Sequence, residues 1–334
     1  MADHALTDDA LEPSRTTPAA TRPRGGRVSR WRAGGGLPLR SAMVFLLPAL
    51  VLFGIFVLYP MLTAFSYSFF SWRGTARSDF SGLDNFFTLF TQDPYKRDIP
   101  NAFLHNVLMF IGAIVGQNTL GMALAVALHR RRWGKRLFQV LFTMPYLVSP
   151  IVIGYLWTLM LSPTFGPVNA MLKAIGLESL ALPWLGSPTT AIWVVVVVSV
   201  WQWVGFPMLL YGAALGGIPE ELDEAASVDG ATARQRFFSI TLPLLWPAII
   251  TVSILAFIGA MESLALPYAM GGVSGSPAGA TDVLSLVFYR IAFESGASNG
   301  VGLSSALATL LFVFIFGVAL LTTYLSRRRE EALT

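Results

Sequence analysis

Six long apolar runs, separated by polar segments, dominate the pattern of the chain. Each run is close to the roughly 20 residues that a helix needs to cross a hydrocarbon layer about 30 Å thick. The runs occupy residues 41–69, 106–128, 137–161, 190–217, 244–267 and 301–325. Several contain proline, which membrane-embedded helices accept where neighbouring groups satisfy the freed carbonyl oxygens. The pattern therefore predicts an all-α integral membrane protein with six transmembrane helices, some of them kinked.

The polar segments predict the orientation of these helices. Lysine and arginine are concentrated before the first run, between the second and third, between the fourth and fifth, and after the sixth. Positive residues favour the cytoplasmic side of a membrane. We therefore expect both termini and the segment 219–243 to be cytoplasmic. Residues 1–40 are rich in Pro, Gly and Arg without periodicity, which predicts a disordered basic tail, and residues 326–334 form a second short tail.

Composition supports a membrane protein and excludes several kinds of chemistry. Hydrophobic residues make up 54% of the chain, charged residues only 13%, and the mean hydropathy is +0.61. Cysteine is absent, and the three histidines, His4, His105 and His129, are far apart in the sequence. The chain therefore offers few residues for a histidine-based metal site or catalytic triad. No G-x-x-x-x-G-K-[ST] loop is present. We expect no metal, no bound cofactor, no catalytic residue and no nucleic-acid partner for this chain.

The cytoplasmic segment 219–243 predicts two short helices. Pro219 suits a helix start, and the acids that follow it favour the positive end of a helix dipole. Ala225 and Ala226 are good helix formers with a thin profile, and Gly230 permits a sharp turn. A second helix is expected to begin near Ala231 and to continue toward Pro243. Such a thin, acidic projection suits a socket on a cytoplasmic partner protein.

This segment carries a resemblance to a known family. The stretch EAASVDGATARQRFFSITLP, residues 224–243, has E-A-A, a glycine after three further residues, and I-x-L-P at its end. It resembles the EAA loop of the membrane-spanning permease subunits of binding-protein-dependent ABC importers, and it precedes the penultimate apolar run, as in that family. SGLDNF (81–86) and MPYLVSPIVIGYLWTLMLSPTFGPVN (144–169) look like segments of the carbohydrate-uptake group, which includes maltose and glycerol-phosphate permeases. LALPYAMGGVSGSP (264–277) follows that group only loosely.

The resemblance implies a type I ABC importer permease fold in a bacterial plasma membrane. It also implies a second homologous permease, two cytoplasmic ATPase subunits that bind ATP and Mg²⁺, and an extracytoplasmic binding protein that delivers a sugar or related polyol. A short helix of the EAA loop would dock into a cleft on the ATPase. The residues implied in this coupling are Glu220, Asp223, Glu224, Ala225, Ala226, Asp229, Gly230, Ile240 and Pro243.

Five residues within the fourth run or at the end of the fifth are candidates for the solute pathway: Gln202, Trp203, Glu262, Ser263 and Tyr268. Glu262 is the one charged residue within the predicted spans. Its side chain could face the pathway and bind a solute hydroxyl, or it could reach water at the outer end of its helix. The others could contact a sugar or serve as packing and interface residues. An ABC permease for another solute, an ion-coupled secondary transporter and a membrane enzyme remain as alternatives.

Overall fold

The computed structural model describes residues 39–129, 131, 133–294 and 296–331, which are predominantly helical. The predicted tail at residues 1–40 lies outside this description except for its last two positions. Residues 332–334 of the second predicted tail also lie outside it.

Three continuous helices in the described ranges are long and apolar enough to cross a membrane: Met43–Tyr67, Tyr95–His129 and Gly300–Ser326. They correspond to the first, second and sixth predicted spans. The first joins Leu39–Phe53 to Tyr59–Tyr67 through the π-helical segment Gly54–Leu58. The last continues to Glu331, beyond the predicted end of the sixth span.

The second helix begins earlier than the apolar run predicts. It comprises Tyr95–Gly112, the π-helical segment Ala113–Asn118 and Thr119–His129, whereas the predicted span starts at residue 106. Its first turns contain Lys96 and Asp98, so hydropathy alone does not mark them as part of the same helix. The helix therefore carries a polar end on the side that we predict to be outside.

Three further spans are each made of two helices with a bend between them. The pairs are Lys135–Leu147 with Pro150–Met160, bent by 93°; Pro188–Trp203 with Gly205–Gly216, bent by 41°; and Ala233–Leu244 with Trp246–Glu262, bent by 64°. Counting each bent pair as one span gives six candidate spans, in agreement with the number predicted.

The 93° bend has a local cause. Ser149, the residue before Pro150, has an extended ψ of 131°, as expected where proline disfavours the helical conformation of its predecessor. Pro150 then begins the second helix, where its missing N–H costs nothing. The third predicted span is thus not a straight helix.

A small β-hairpin follows the first helix and departs from the all-α prediction. Its antiparallel strands, Phe70–Arg73 and Ala76–Phe80, pair Phe70 with Phe80 and Arg73 with Ala76. Asn85 anchors the hairpin, because its Nδ2 donates to the carbonyl oxygens of Ser68 and Phe70 at 2.8 and 2.9 Å. Hydropathy did not reveal so short a sheet, although Gly74 in its turn is a hairpin signal.

Shorter helices connect these elements. They are Asp84–Thr91, Pro167–Ala174, the 3₁₀ turn Glu178–Leu180, Glu220–Val228, Ala233–Arg236 with the π-helical Phe237–Thr241 and Leu242–Leu244, Ala265–Gly271, and Leu284–Tyr289 with the π-helical Arg290–Glu294.

Helix Trp246–Glu262 contributes to two hydrophobic clusters. Its Met261 packs with Val195 and Leu286 in one cluster, and its Val252 packs with Tyr211 and other residues in the second. Elsewhere in the core, Gly112 allows its helix to approach Val196 so closely that a β-carbon would collide with that side chain. This packing positions the fifth predicted span against the second and fourth.

Candidate functional site

The acidic segment after the fourth predicted span forms an exposed helix, Glu220–Val228, which confirms the predicted helix. Pro219 directly precedes it with an extended ψ of 129°, and three acidic residues occupy the first turn. These acids stabilise the positive end of the helix dipole. Every residue of the helix is exposed except Ala226, which is half-buried. The helix therefore projects most of its surface away from the rest of the described chain.

The turn after this helix depends on Gly230. The N–H groups of Asp229, Gly230 and Ala231 donate to the carbonyl oxygens of Ala225, Ser227 and Ala226, which closes the helix end. Gly230 has φ +81°, in the left-handed region that glycine adopts without steric cost. A β-carbon at Gly230 would meet nothing within 4 Å. The requirement for glycine is thus conformational.

A second short helix begins at Ala233, close to the predicted restart. Thr232 and Gln235 form a capping box: Gln235 N donates to Thr232 Oγ1 at 3.3 Å, and Thr232 N donates to Gln235 Oε1 at 2.8 Å. The chain then continues through Ile240, which is half-buried, and Pro243, which is exposed, into the fifth predicted span. The two helices and their turn form one unit, residues 220–244, which we call the helical loop.

A polar cavity lies between the helical loop and the ends of the neighbouring membrane helices. Its volume is about 320 Å³, and Glu220, Asp223 and Glu224 line it together with His129. Three of the predicted coupling acids therefore share one surface. Asp229 and Ala225 are also exposed but do not line this cavity.

A second cavity, of about 380 Å³, lies between the membrane helices, and we call it the central cavity. Trp203, Glu262 and Ser263 line it, so the structure brings three of the five predicted pathway residues together. Gln117 and Ser199 add an amide and a hydroxyl group. Most of the remaining lining is apolar, and within the described chain no lysine, arginine or histidine lines it. A mostly apolar cavity with a few polar groups is typical of a small-molecule site.

Glu262 is the last residue of helix Trp246–Glu262 and is exposed to the central cavity. The carboxyl end of a helix carries partial negative charge, so this position does not stabilise a carboxylate. Asn106 satisfies the carbonyl oxygen of Ala260 at this helix end, donating from Nδ2 at 2.6 Å. Both sequence interpretations describe part of the arrangement, because Glu262 lies at the end of its helix and also faces a cavity.

Gln202 and Tyr268 do not line the central cavity, and their contact with solute stays a prediction. Gln202 is fully buried, and its Nε2 donates to the carbonyl oxygen of Val148 at 3.1 Å, within the bend before Pro150. This hydrogen bond stabilises the break between helices Lys135–Leu147 and Pro150–Met160. The Tyr268 ring packs edge-on against Tyr289, with 5.8 Å between ring centroids.

Gln117 and Ser199 were missed by the sequence reasoning. Gln117 lies in the π-helical segment Ala113–Asn118, and wide turns of this kind occur frequently at functional sites. The polar pair Gln117 and Asn118 in the middle of an apolar run was the available signal. Ser199 lies in a run of valines and gives little signal of its own.

A charged cluster on the predicted outer side was also missed. Arg290 forms ion pairs with Asp98 at 3.3 Å and Asp282 at 2.9 Å, and its Nη1 donates to the carbonyl oxygen of Val273 at 3.1 Å. Burial raises the pKa of the Asp282 carboxyl, although Arg290 opposes the shift through its hydrogen bonds and charge. The hydrogen bond to Asp282 raises the pKa of Arg290.

Comparison with known proteins defines the class of this chain. Residues 117–331 match the family model described as "Binding-protein-dependent transport system inner membrane component". The chain belongs to this family of inner-membrane transport components. The matched range includes the helical loop and most of the central cavity lining.

Several relatives align with this chain over most of their length. The chain is 34% identical to the "Probable ABC transporter permease protein YurN" of Bacillus subtilis (strain 168) over 282 residues, which cover 83% of this chain and 93% of that protein. It is 32% identical to the "Multiple sugar-binding transport system permease protein MsmF" of Streptococcus mutans, over 86% of this chain and 95% of the relative. It is also 32% identical to the "Diacetylchitobiose uptake system permease protein NgcF" of Streptomyces coelicolor, over 84% of each chain.

A solved structure has the same fold. It is the "Crystal structure of a bacterial ABC transporter involved in the import of the acidic polysaccharide alginate", matched with a TM-score of 0.71 and 25% identity, over 87% of this chain and 95% of that chain. The family match and this structural likeness confirm the predicted type I ABC importer permease fold. The family assignment favours a transport subunit over the membrane-enzyme and ion-coupled alternatives.

Proposed function

We propose that this chain is the permease subunit of an ATP-driven importer and forms half of a membrane pathway for a sugar or related polyol. The observation that carries this proposal is the exposed helix Glu220–Val228, with its left-handed turn at Gly230, connected through the second short helix to membrane helix Trp246–Glu262, which lines the central cavity. A partner that moves the exposed helix could thereby act on the cavity.

The coupling part of the proposal concerns the helical loop. The helix Glu220–Val228 docks into a cleft on a cytoplasmic ATPase subunit, and its exposed Glu224 accepts hydrogen bonds from basic or backbone donors there. Ala225 and Ala226 allow close approach because their side chains are short. Asp229 and Gly230 form the turn, and Ile240 and Pro243 connect it to the fifth predicted span.

The partners follow from this arrangement. Two ATPase subunits bind ATP and Mg²⁺ and supply the energy, because this chain has no phosphate-binding loop. A second homologous permease provides the other half of the pathway, and an extracytoplasmic binding protein delivers the solute. The assembly resides in a bacterial plasma membrane. The names of the ABC transporter relatives support the ATPase, and the family description supports the binding protein.

The solute class follows from the central cavity and from the relatives. Glu262, Ser263, Ser199 and Gln117 offer acceptors and donors suited to a polyhydroxylated molecule, and Trp203 offers an aromatic ring. Two of the compared relatives are named as permeases for sugars, and the similar solved transporter imports a polysaccharide. These observations together support a carbohydrate.

Purification of the intact assembly from native membranes tests the proposal. Mass spectrometry of the proteins that remain with an affinity-tagged chain in mild detergent should find an ATPase, a second permease and a binding protein. Analysis of the solute released when that binding protein is denatured should find a sugar or polyol. Recovery of the chain without an ATPase, under conditions in which other membrane complexes stay intact, would contradict the proposal.

A further inference from the structure

The exposed helix Glu220–Val228 has few attachments to the chain that carries it. Its side chains are exposed apart from half-buried Ala226, so apolar packing does little to fix its direction. The connection to the second short helix runs through Gly230, a residue with wide conformational freedom. Apart from the backbone hydrogen bonds that close the turn at residues 229–231, side-chain contacts therefore determine the angle between the two helices.

Arg236 provides a second attachment between these helices. Its Nε lies 3.4 Å from Asp223 Oδ1, and its Nη1 donates to the main-chain oxygen of Asp223 at 3.5 Å. The Arg236 side chain is only 19% exposed, whereas that of Asp223 is 56% exposed. Between residues 220 and 244, all of which are described, this is the one ion pair that joins the two helices.

We propose that Arg236 is a positioning residue, which fixes the angle between helix Glu220–Val228 and the helical segment that continues into the fifth predicted span. The inference rests on the proposed function of the helical loop. With two points of attachment, at the Gly230 turn and at the Arg236–Asp223 pair, the loop moves as a rigid body. A displacement at the ATPase is then transmitted to the membrane helix instead of being absorbed at the turn.

The chemistry of arginine suits this role. Its planar guanidinium reaches a carboxylate and a carbonyl oxygen of the same residue at once, which a single lysine ammonium does less well. Because Asp223 is more than half exposed, the pair adds little to the stability of the whole protein. Loss of the pair should therefore impair coupling without unfolding the subunit.

The test uses the intact transporter in proteoliposomes together with its co-purified binding protein, as isolated with its solute. The measured quantity is the factor by which the binding protein stimulates ATP hydrolysis. We expect Arg236→Gln to lower this factor by about threefold, a size consistent with a partly exposed ion pair. Arg236→Lys should retain part of the stimulation of ATP hydrolysis. The double variant with reversed charges, Arg236→Glu with Asp223→Lys, should show more stimulation than either single variant.

Arg234 supplies a matched control on the same short helix. Its guanidinium lies 5.9 Å from the centroid of the Phe238 ring and makes no ion pair with the exposed helix in the described structure. Arg234→Gln should keep the wild-type factor. Subunit content of each complex is measured by gel densitometry, so that loss of assembly is distinguished from loss of coupling.

The outcomes separate the two proposals. A wild-type factor in the fully assembled Arg236→Gln transporter would overturn the positioning role alone. A wild-type complex that contains no ATPase would overturn the proposed function and, with it, this inference.

Discussion

Arg290 holds the carboxylate of Asp282 through two hydrogen bonds, from Nη1 to Oδ1 at 3.0 Å and from Nη2 to Oδ2 at 2.9 Å. The Asp282 side chain is only 3% exposed. The same guanidinium contacts Asp98 on the second membrane helix and the carbonyl oxygen of Val273. Arg290 thus joins the glycine-rich segment after the fifth predicted span, at Val273, to the second membrane helix, at Asp98.

We predict that Arg290→Met strongly destabilises the subunit, because it leaves Asp282 as a buried, unpaired charge. The expected cost is about 3–5 kcal/mol. Arg97→Met is the control, since Arg97 is 84% exposed and its pair with Asp98, at 3.5 Å, should contribute only about 0–1 kcal/mol. Thermal unfolding of the purified complex in detergent measures both. Equal midpoints of thermal unfolding for the two variants would contradict a stabilising role for the Arg290–Asp282 pair.

The defect in Arg290→Met should depend on pH. The pKa of Asp282 is already raised by burial, and removal of Arg290 removes the main influences that oppose the shift. A carboxyl whose pKa is higher in the folded than in the unfolded protein stabilises the fold increasingly as pH falls through the folded pKa. The difference in unfolding midpoint between Arg290→Met and the parent should therefore be smaller at about pH 5 than at about pH 8. A larger difference at the lower pH would contradict this assignment.

Substitution of Gly230 should impair coupling through backbone strain. Gly230→Val forces a branched side chain into the left-handed region, whereas asparagine tolerates that region better. The strain is about 1–2 kcal/mol for a non-glycine residue. We expect binding-protein-stimulated ATP hydrolysis to fall in the order wild type, Gly230→Asn, Gly230→Val, and uptake by Gly230→Asp to be reduced.

Gly176 is a close control for Gly230. It has the same φ of +81° and equally open surroundings, but it lies in the segment between the third and fourth predicted spans, on the predicted outer side. Gly176→Val introduces similar strain away from the helical loop and should leave the stimulation unchanged. Normal transport by Gly230→Val, or an equal loss in both variants, would contradict the special role of this turn.

Glu262 should affect solute movement more than assembly. Loss of one charge-assisted hydrogen bond to a hydroxyl group is expected to lower the initial uptake rate about tenfold in Glu262→Gln. The rate is measured in cells with a radiolabelled form of the solute that was identified on the binding protein. Glu178→Gln, on the exposed 3₁₀ turn, is the control. Wild-type uptake by Glu262→Gln would support the interpretation that Glu262 merely reaches water at its helix end.

The sequence predicted most of the fold because membrane spans and helix ends leave local signals. Proline at position 219, the acids that follow it and Gly230 were sufficient to predict the helical loop. The 93° bend was not predictable, since Pro150 marks a break but its angle depends on packing and on the amide of Gln202.

The site was predicted less completely, for a related reason. Trp203, Glu262 and Ser263 were predicted because charged, hydroxyl-bearing and aromatic side chains are conspicuous within apolar runs. Gln202 has the same appearance in the sequence, and only the tertiary structure shows its amide bound to Val148. The partners of Arg290 are likewise separated from it by up to 192 residues along the chain, so no local pattern identifies them.

The most direct test of the account is a cross-link from the exposed helix to the ATPase. Because the chain contains no cysteine, Val228→Cys places a single thiol in it, at a side chain that is 88% exposed. Thr75→Cys, at the exposed turn of the hairpin on the predicted outer side, is the matched control. With a short thiol-to-amine reagent on the intact complex, we predict a product between this chain and the ATPase from position 228 and none from position 75. A complex that contains the ATPase but gives no such product from position 228 would contradict the account.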